Sequence, residues 1–143
     1  MIDFVHDDGG RAEAGFKGTA NDCGVRALAI ATGRPYKEVY DLVNEYCAKE
    51  KPSKTRRGIS SSRTGLHTVT MRKICEDLGA IWVPTMAIGS GTTIHVNAEE
   101  LPVGGRYILR VSKHYVAYVD GILKDNHNPA RDGTRAVYGY WSF

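Results

Sequence analysis

Residues 21–31 read NDCGVRALAIA, which places a cysteine at the head of an almost wholly apolar stretch. Asp22 suits a helix N-cap, because its carboxylate can accept hydrogen bonds from the free N–H groups of the first turn. Between residues 25 and 31 only Arg26 is polar. A helix that is apolar on nearly every side usually forms the centre of a domain. We therefore predict a buried central helix from about Cys23 to Thr32.

The thiol of Cys23 would lie at the start of this helix. Unpaired N–H groups and the positive end of the helix dipole favour the thiolate there, and the thiolate is the nucleophilic form. The alternative is a core cysteine, since free cysteines are among the most buried residues. Cys47 and Cys75 lie on apolar stripes with helical spacing, in helices predicted at residues 36–47 and 68–78, so we predict that both are core residues.

The length and composition are those of one globular domain spanning residues 1–143. The net charge of +3 is too mild to indicate a strongly basic nucleic-acid binder. Three widely spaced cysteines argue against a disulfide framework and against a zinc finger. The sequence contains neither a secretion signal nor an apolar run that could span a bilayer. We therefore expect a soluble protein of the reducing cytoplasm, with no membrane partner.

The order of elements predicts an α+β domain, in which N-terminal helices with a buried central helix pack on a C-terminal antiparallel sheet. Residues 1–20 are polar and glycine-rich, which is typical of a loop with at most one short strand. After Gly79 the pattern changes from helical spacing to strands. The predicted strands are 81–84, 93–96, 107–111, 114–119, 122–125 and 136–141.

A basic, serine-rich stretch from Lys49 to Gly65 interrupts the helices and includes Arg56, Arg57 and Arg63. Such a stretch could contact a phosphate backbone or an acidic partner. A solvated loop is the commoner structure for this composition. We therefore expect the segment to be mobile and dispensable for folding.

Cys23 and His114 are the candidate reactive pair. A cysteine peptidase needs a thiolate, an imidazole that accepts and returns its proton, and a group that holds the imidazole. These residues need to be close in space but not in sequence. Here the cysteine begins a central helix and the histidine begins a predicted strand.

The chain resembles the papain-like fold in Asp-Cys-Gly at residues 22–24, in HYVAYVDG at residues 114–121 and in Asp125. Within that fold it is most similar to the bacteriocin-leader-processing cysteine peptidases of ABC transporters and their free-standing relatives, and it also resembles small phage and prophage proteins of this type. The resemblance implies a thiol hydrolase that acts on a peptide or amide bond of a peptide or protein substrate. Cys23 would attack, His114 would transfer the proton and Asp125 would orient His114, with no cofactor and no metal. Acyl transfer and deamidation by the same residues stay open.

The chain departs from that family at the oxyanion position. The family has a glutamine six residues before the cysteine, where this chain has Lys17. Asn21, two residues before Cys23, is the right chemical type at a different spacing, and either residue could act with the Cys23 backbone N–H. The competing hypothesis is a non-catalytic papain-like binding protein, which would hold a partner such as nucleic acid through the basic loop at residues 49–65.

Hairpin register decides which residue orients His114. Asp120 and Gly121 form a strong signal for a two-residue turn, which would place His114 on the same face as Asp125 and His127. Asn126 would then point to the other face, whereas a bulge would shift the register in its favour. Cys23, His114 and His127 match no known zinc spacing. The remaining histidines, which we predict to be structural or surface residues, are His6, His67 and His95.

Overall fold

Three helices and eight strands are formed by the residues that the computed structural model describes, which are 2–18, 20–50, 60–86 and 94–143. The helices are α1 (Cys23–Thr32), α2 (Tyr36–Ala48) and α3 (Thr68–Asp77). The strands are β1 (Asp3–His6), β2 (Ile81–Pro84), β3 (Ile94–His95), β4 (Arg106–Val111), β5 (His114–Val119), β6 (Ile122–Asp125), β7 (Ala136–Val137) and β8 (Gly139–Ser142). The predicted α+β class is confirmed.

The main sheet has six strands in the order β1-β6-β5-β4-β8-β2, and β3 pairs with β7 in a separate two-stranded sheet. All pairs in the main sheet are antiparallel except β1 with β6, which are parallel. The prediction of a purely antiparallel sheet is therefore wrong at this edge. This pairing joins the N-terminal strand to a strand near the other end of the chain, and local sequence carries no signal for such a long-range pairing.

Helix α1 packs across β5, where Ala117 is fully buried and its small side chain lets the helix approach the sheet. The helical face of the sheet carries one apolar cluster, with Leu28 and Ile108 at 0% exposure. The opposite face carries a second, around Leu109 and Leu123. Burying a leucine or isoleucine contributes about 1.5–3 kcal/mol, so these clusters hold α1 rigidly on the sheet. None of the described helices is both long enough and apolar enough to cross a bilayer.

Asp22 occupies the N-cap position of α1, but its carboxylate makes no capping hydrogen bond. The carboxylate is buried and instead accepts hydrogen bonds from Arg26, from Tyr36 Oη at 2.6 Å and from Arg11 Nη1 at 3.4 Å. Two buried guanidinium groups need a counter-charge more than the helix terminus needs a cap, because an unpaired buried charge costs several kcal/mol. The prediction of an Asp22 side-chain cap is therefore wrong. The C-terminal end does follow the usual rule, since Gly33 ends α1 in the left-handed region at φ 72°.

The β5–β6 hairpin has the predicted two-residue turn. Asp120 and Gly121 both have positive φ, 51° and 83°, as a type I′ turn requires. Val119 pairs with Ile122 and Ala117 pairs with Lys124, which is the predicted register. The end of β6 therefore lies beside the start of β5.

Residues 60–65 are anchored to the helices. Ser60 and Ser62 are 6% and 1% exposed. Ser62 donates from its N–H to Asn44 Oδ1 at 3.0 Å and from its hydroxyl to the Tyr40 carbonyl at 2.7 Å. The expectation of a solvated, mobile loop up to Gly65 is therefore wrong for this part. The physical reason is that Ser62 donates to acceptors on α2, and the N–H and hydroxyl of Ser60 donate to the Glu50 carboxylate just after α2. The remainder of that expectation, including Arg56 and Arg57, lies outside the described residues.

Candidate active site

Cys23 is the first residue of α1, and its half-buried thiol contacts the start of β5. The His114 side chain and the Tyr115 backbone lie next to the thiol and lower its pKa, and all three residues line one cleft. The rigid contact between α1 and β5 fixes this meeting point. Sequence analysis proposed Cys23 and His114 as a pair, and the structure brings them together.

Asp125 holds the other side of the His114 ring. His114 Nε2 lies 2.5 Å from Asp125 Oδ2, and the two side chains are 11% and 3% exposed. With Nε2 committed to the carboxylate, Nδ1 is the ring nitrogen left for the thiol. The thiol, the imidazole and the carboxylate thus lie one after another from the N-terminus of α1 to the end of β6.

The charges of Cys23, His114 and Asp125 stabilise one another. Burial raises the pKa of the Cys23 thiol, but the hydrogen bond from His114 and its positive charge outweigh burial, so the pKa lies below its ordinary value. Burial lowers the pKa of His114, but the hydrogen bonds to Asp125 and Cys23 outweigh it and raise the pKa to about 9. A thiolate–imidazolium pair is therefore favoured at neutral pH.

The other two cysteines have the opposite electrostatics. Cys47 and Cys75 are 2% and 0% exposed, which confirms that both are core residues. Burial raises the pKa of Cys47, and it raises the pKa of Cys75 to about 12. Among the residues that the structure describes, no cation favours either thiolate.

We expect limiting iodoacetamide at pH 6 to alkylate Cys23 first. The pKa of Cys23 is lowered whereas those of Cys47 and Cys75 are raised, so only Cys23 has an appreciable thiolate fraction at this pH. Peptide mapping by mass spectrometry identifies the labelled residue, and guanidinium-unfolded protein provides the control in which all three thiols react alike. Earlier labelling of Cys47 or Cys75 in the folded protein would contradict the assignment.

Arg26 is a buried residue that sequence reasoning left unassigned. Its Nη2 lies 3.3 Å from Asp125 Oδ1, while its Nη1 is bonded to Asp22. Arg26 therefore ties the carboxylate of the candidate site to the buried cluster of Asp22, Arg11 and Tyr36. The signal was present in the sequence, because an arginine in an otherwise apolar helix needs a carboxylate partner and Asp22 stands four residues earlier.

The residues competing with Asp125 are engaged elsewhere. The Asn126 side chain pairs with His127 Nδ1 at 2.7 Å, and Asp120 Oδ1 accepts from the Gly105 N–H at 3.1 Å. The imidazole of His127 lies beside that of His114, with ring centroids 5.2 Å apart. Asp125 is thus the residue that accepts the hydrogen bond from His114, in agreement with the predicted register.

One group of possible metal ligands is found within the described residues. His114, Asp125 and His127 offer ligand atoms that lie within 4.8 Å of one another, and Cys23 is not in the group. A metal there would have to displace the short hydrogen bond between His114 and Asp125. The electrostatics of that bond fit a proton-transfer pair better than a ligand set.

A cleft of about 190 Å³ opens beside the Cys23 thiol. Asn21 lines it, and Asn21 Nδ2 donates to the Thr64 carbonyl at 3.3 Å, which leaves the second amide hydrogen for another acceptor. Lys17 is exposed and does not line the cleft. A larger groove of about 510 Å³ lies between α2 and α3 and is lined by neither Cys23 nor His114.

Comparison of the chain with models of protein families, with curated proteins and with solved structures finds no match.

Proposed function

We propose that the protein is a papain-like thiol hydrolase that cleaves a peptide or amide bond with Cys23, His114 and Asp125. The observation that carries the proposal is the placement of the Cys23 thiol beside His114, which is hydrogen-bonded to Asp125, at the edge of an open cleft. The nucleophile begins a buried helix and the histidine begins a strand packed against it. This arrangement supports the papain-like interpretation of the sequence motifs.

The reaction follows from the charges of the pair. The Cys23 thiolate attacks the carbonyl carbon, and the carbonyl oxygen becomes an oxyanion. As the tetrahedral intermediate collapses, the His114 imidazolium gives its Nδ1 proton to the leaving amine and a thioester remains. His114, now neutral, takes a proton from water as the water attacks the thioester. The acid product leaves, and the thiolate–imidazolium pair is restored.

The oxyanion would be held by the Cys23 backbone N–H and by the free amide hydrogen of Asn21 Nδ2. Asn21 fits this role because it lines the cleft and one of its amide hydrogens is already anchored to Thr64. Removing one such donor costs about 2.7–4 kcal/mol of transition-state stabilisation in well-studied hydrolases. Lys17, the other sequence candidate, lies outside the cleft and is not assigned this role.

Asp125 and Arg26 position the histidine. The Asp125 carboxylate fixes the ring through Nε2, and Arg26 and the Asn126 N–H fix the second carboxylate oxygen at 3.3 and 2.7 Å. Burial raises the pKa of Asp125, but the hydrogen bond and charge of His114 outweigh it and lower the pKa. Asp125 therefore stays ionised and stabilises the imidazolium whenever His114 carries its second proton.

A peptide library derived from a whole proteome tests the proposal. The wild-type protein should generate new termini, or deamidated residues, that mass spectrometry detects. The Cys23→Ala variant should generate none of them, whereas Cys47→Ala, which removes a thiol from the core side of α2, should retain them. Products formed equally well by Cys23→Ala would exclude Cys23 as the nucleophile.

A further inference from the structure

The cleft beside Cys23 is lined by cations that have no acidic partner. Arg110, at the end of β4, and Lys113, in the β4–β5 turn, both line it. No aspartate or glutamate lines the cleft. The guanidinium of Arg110 lies over the Tyr138 ring, 5.9 Å from its centroid. The ring holds the guanidinium in place while leaving its N–H groups open to the cleft.

Arg110 differs in this respect from the other inward-facing arginines of the described chain. Arg11 and Arg26 form ion pairs with Asp22, and Arg135 donates to two backbone carbonyls. The Arg110 side chain makes no ion pair or hydrogen bond with any residue that the structure describes. A half-buried guanidinium without an acceptor is a recognition group for a planar anion, because its rigid fork matches a carboxylate in two parallel hydrogen bonds.

A second, shallower depression extends the positive region. Arg110 also lines this depression, together with Arg72 and the rings of Trp82 and Trp141. Apolar walls around a cation strengthen its attraction for an anion, since they keep water away from the field lines. The surface on this side of the thiol thus combines cations with aromatic rings.

We propose that the cleft recognises a substrate carboxylate next to the scissile carbonyl, and that Arg110 binds it. This inference rests on the proposed function. The cleft of about 190 Å³ is smaller than the roughly 300–1,000 Å³ of a typical ligand site, so it fits a short peptide segment. A nucleic-acid backbone is disfavoured, since it needs an extended groove of cations and this cleft has only Arg110 and Lys113, both beside one thiol. The carboxylate is either an acidic side chain or a free C-terminus.

Iodoacetate and iodoacetamide test the inference because they differ by one carboxylate. For the wild-type protein we expect Cys23 to react faster with iodoacetate, relative to a free thiol, than with iodoacetamide. Arg110→Gln should lower the iodoacetate-to-iodoacetamide rate ratio by about three- to tenfold, since one nearby charge is lost. Lys113→Gln, on an exposed turn outside the core, should lower it in the same direction. Arg106→Gln is the matched control, on the same strand roughly 13 Å away, and should leave the ratio unchanged.

Three chloroacetyl probes separate the two sources of carboxylate. N-chloroacetylglycine carries a terminal carboxylate, the α-amide of N-chloroacetylglutamate carries a side-chain carboxylate, and N-chloroacetylglycinamide carries none. Preference of Cys23 for either acidic probe, lost in Arg110→Gln, supports the inference and identifies the source.

If Cys23 reacts rapidly but Arg110→Gln changes no ratio, the inference is overturned and the proposed function stands. If Cys23 is no more reactive than a free thiol towards any probe, both fail. Protection of Cys23 by a single-stranded oligonucleotide, without any probe preference, would assign the cations to phosphate and also overturn the inference.

Discussion

His114→Ala is expected to reduce alkylation of Cys23 at pH 6 by about 10- to 100-fold. The pKa of Cys23 lies below its ordinary value because of the hydrogen bond and charge of His114, and without them only burial acts, which raises the pKa. An ordinary thiol of pKa 8.5 is only about 0.3% thiolate at pH 6. Peptide hydrolysis should fall further, by about 10³- to 10⁴-fold, because the proton donor to the leaving amine is also lost.

The alkylation rate of Cys23 should depend on pH differently in the wild-type protein and in His114→Ala. In the wild-type protein the alkylation rate should persist as the pH falls below 8, since the thiolate is stabilised. In His114→Ala the alkylation rate should rise only as the pH approaches or exceeds the pKa of an ordinary thiol. Rates measured from pH 5 to 9.5 with iodoacetamide, read by intact-protein mass spectrometry, distinguish the two profiles. Coincident profiles would show that His114 does not activate Cys23.

Asp125→Asn tests the orienting carboxylate, and the neighbouring variant Asn126→Ala is its matched control. Asp125→Asn removes the charge that raises the pKa of His114 to about 9, while the burial that lowers this pKa remains. The imidazolium should then lose its proton at a lower pH, and the thiolate should lose its partner. Asn126→Ala should have little effect, because the Asn126 side chain contacts His127 and not His114. The reverse pattern would mean that Asn126 orients the ring.

Local signals were enough to predict the elements that carry the site. Helix α1 has the predicted bounds, because an apolar stretch followed by Gly33 leaves few alternatives. The β5–β6 turn also has its predicted register, because Asp120 and Gly121 can both adopt positive φ. Those two elements bring His114 to Asp125, and the packing of α1 on β5 then brings Cys23 to both.

The parts that sequence could not supply depend on contacts between distant segments. Parallel pairing of β1 with β6 joins residues about 120 positions apart, and β1 itself is short and mostly exposed. The anchoring of Ser60 and Ser62 depends on acceptors in Glu50, just after α2, and in α2 itself, which a polar composition does not reveal. Asp22 has the sequence signature of an N-cap, and only the position of Arg11 in space shows that a buried charge cluster takes its carboxylate instead. The sequence alone gives no reason to single out Arg110 and Lys113, because their proposed role depends on the cleft that they line beside Cys23.

Asp22→Asn is expected to lower the free energy of unfolding by about 3–5 kcal/mol. The Asp22 side chain is 1% exposed and neutralises two guanidinium groups, those of Arg26 and Arg11, which are 6% and 10% exposed. Asparagine keeps the shape but removes the charge, so Arg11 loses its only ion-pair partner among the described residues. Urea unfolding at pH 7 measures the change, and the melting temperature should fall by roughly 10 °C for a chain of this size.

Asp41→Asn provides the matched control, because it makes the same substitution in an exposed pair. Lys37 and Asp41 lie 2.7 Å apart but are 63% and 54% exposed, and such pairs contribute about 0–1 kcal/mol. If burial rather than distance decides the cost, Asp22→Asn should be several times more destabilising than Asp41→Asn. The double variant Asp22→Asn/Arg11→Met should then recover part of the loss, because it removes the guanidinium that Asp22→Asn leaves without an ion-pair partner among the described residues. Equal effects of the two single variants would show that the buried cluster contributes no more than a surface pair, and that Arg26 holds Asp125 without help from Asp22.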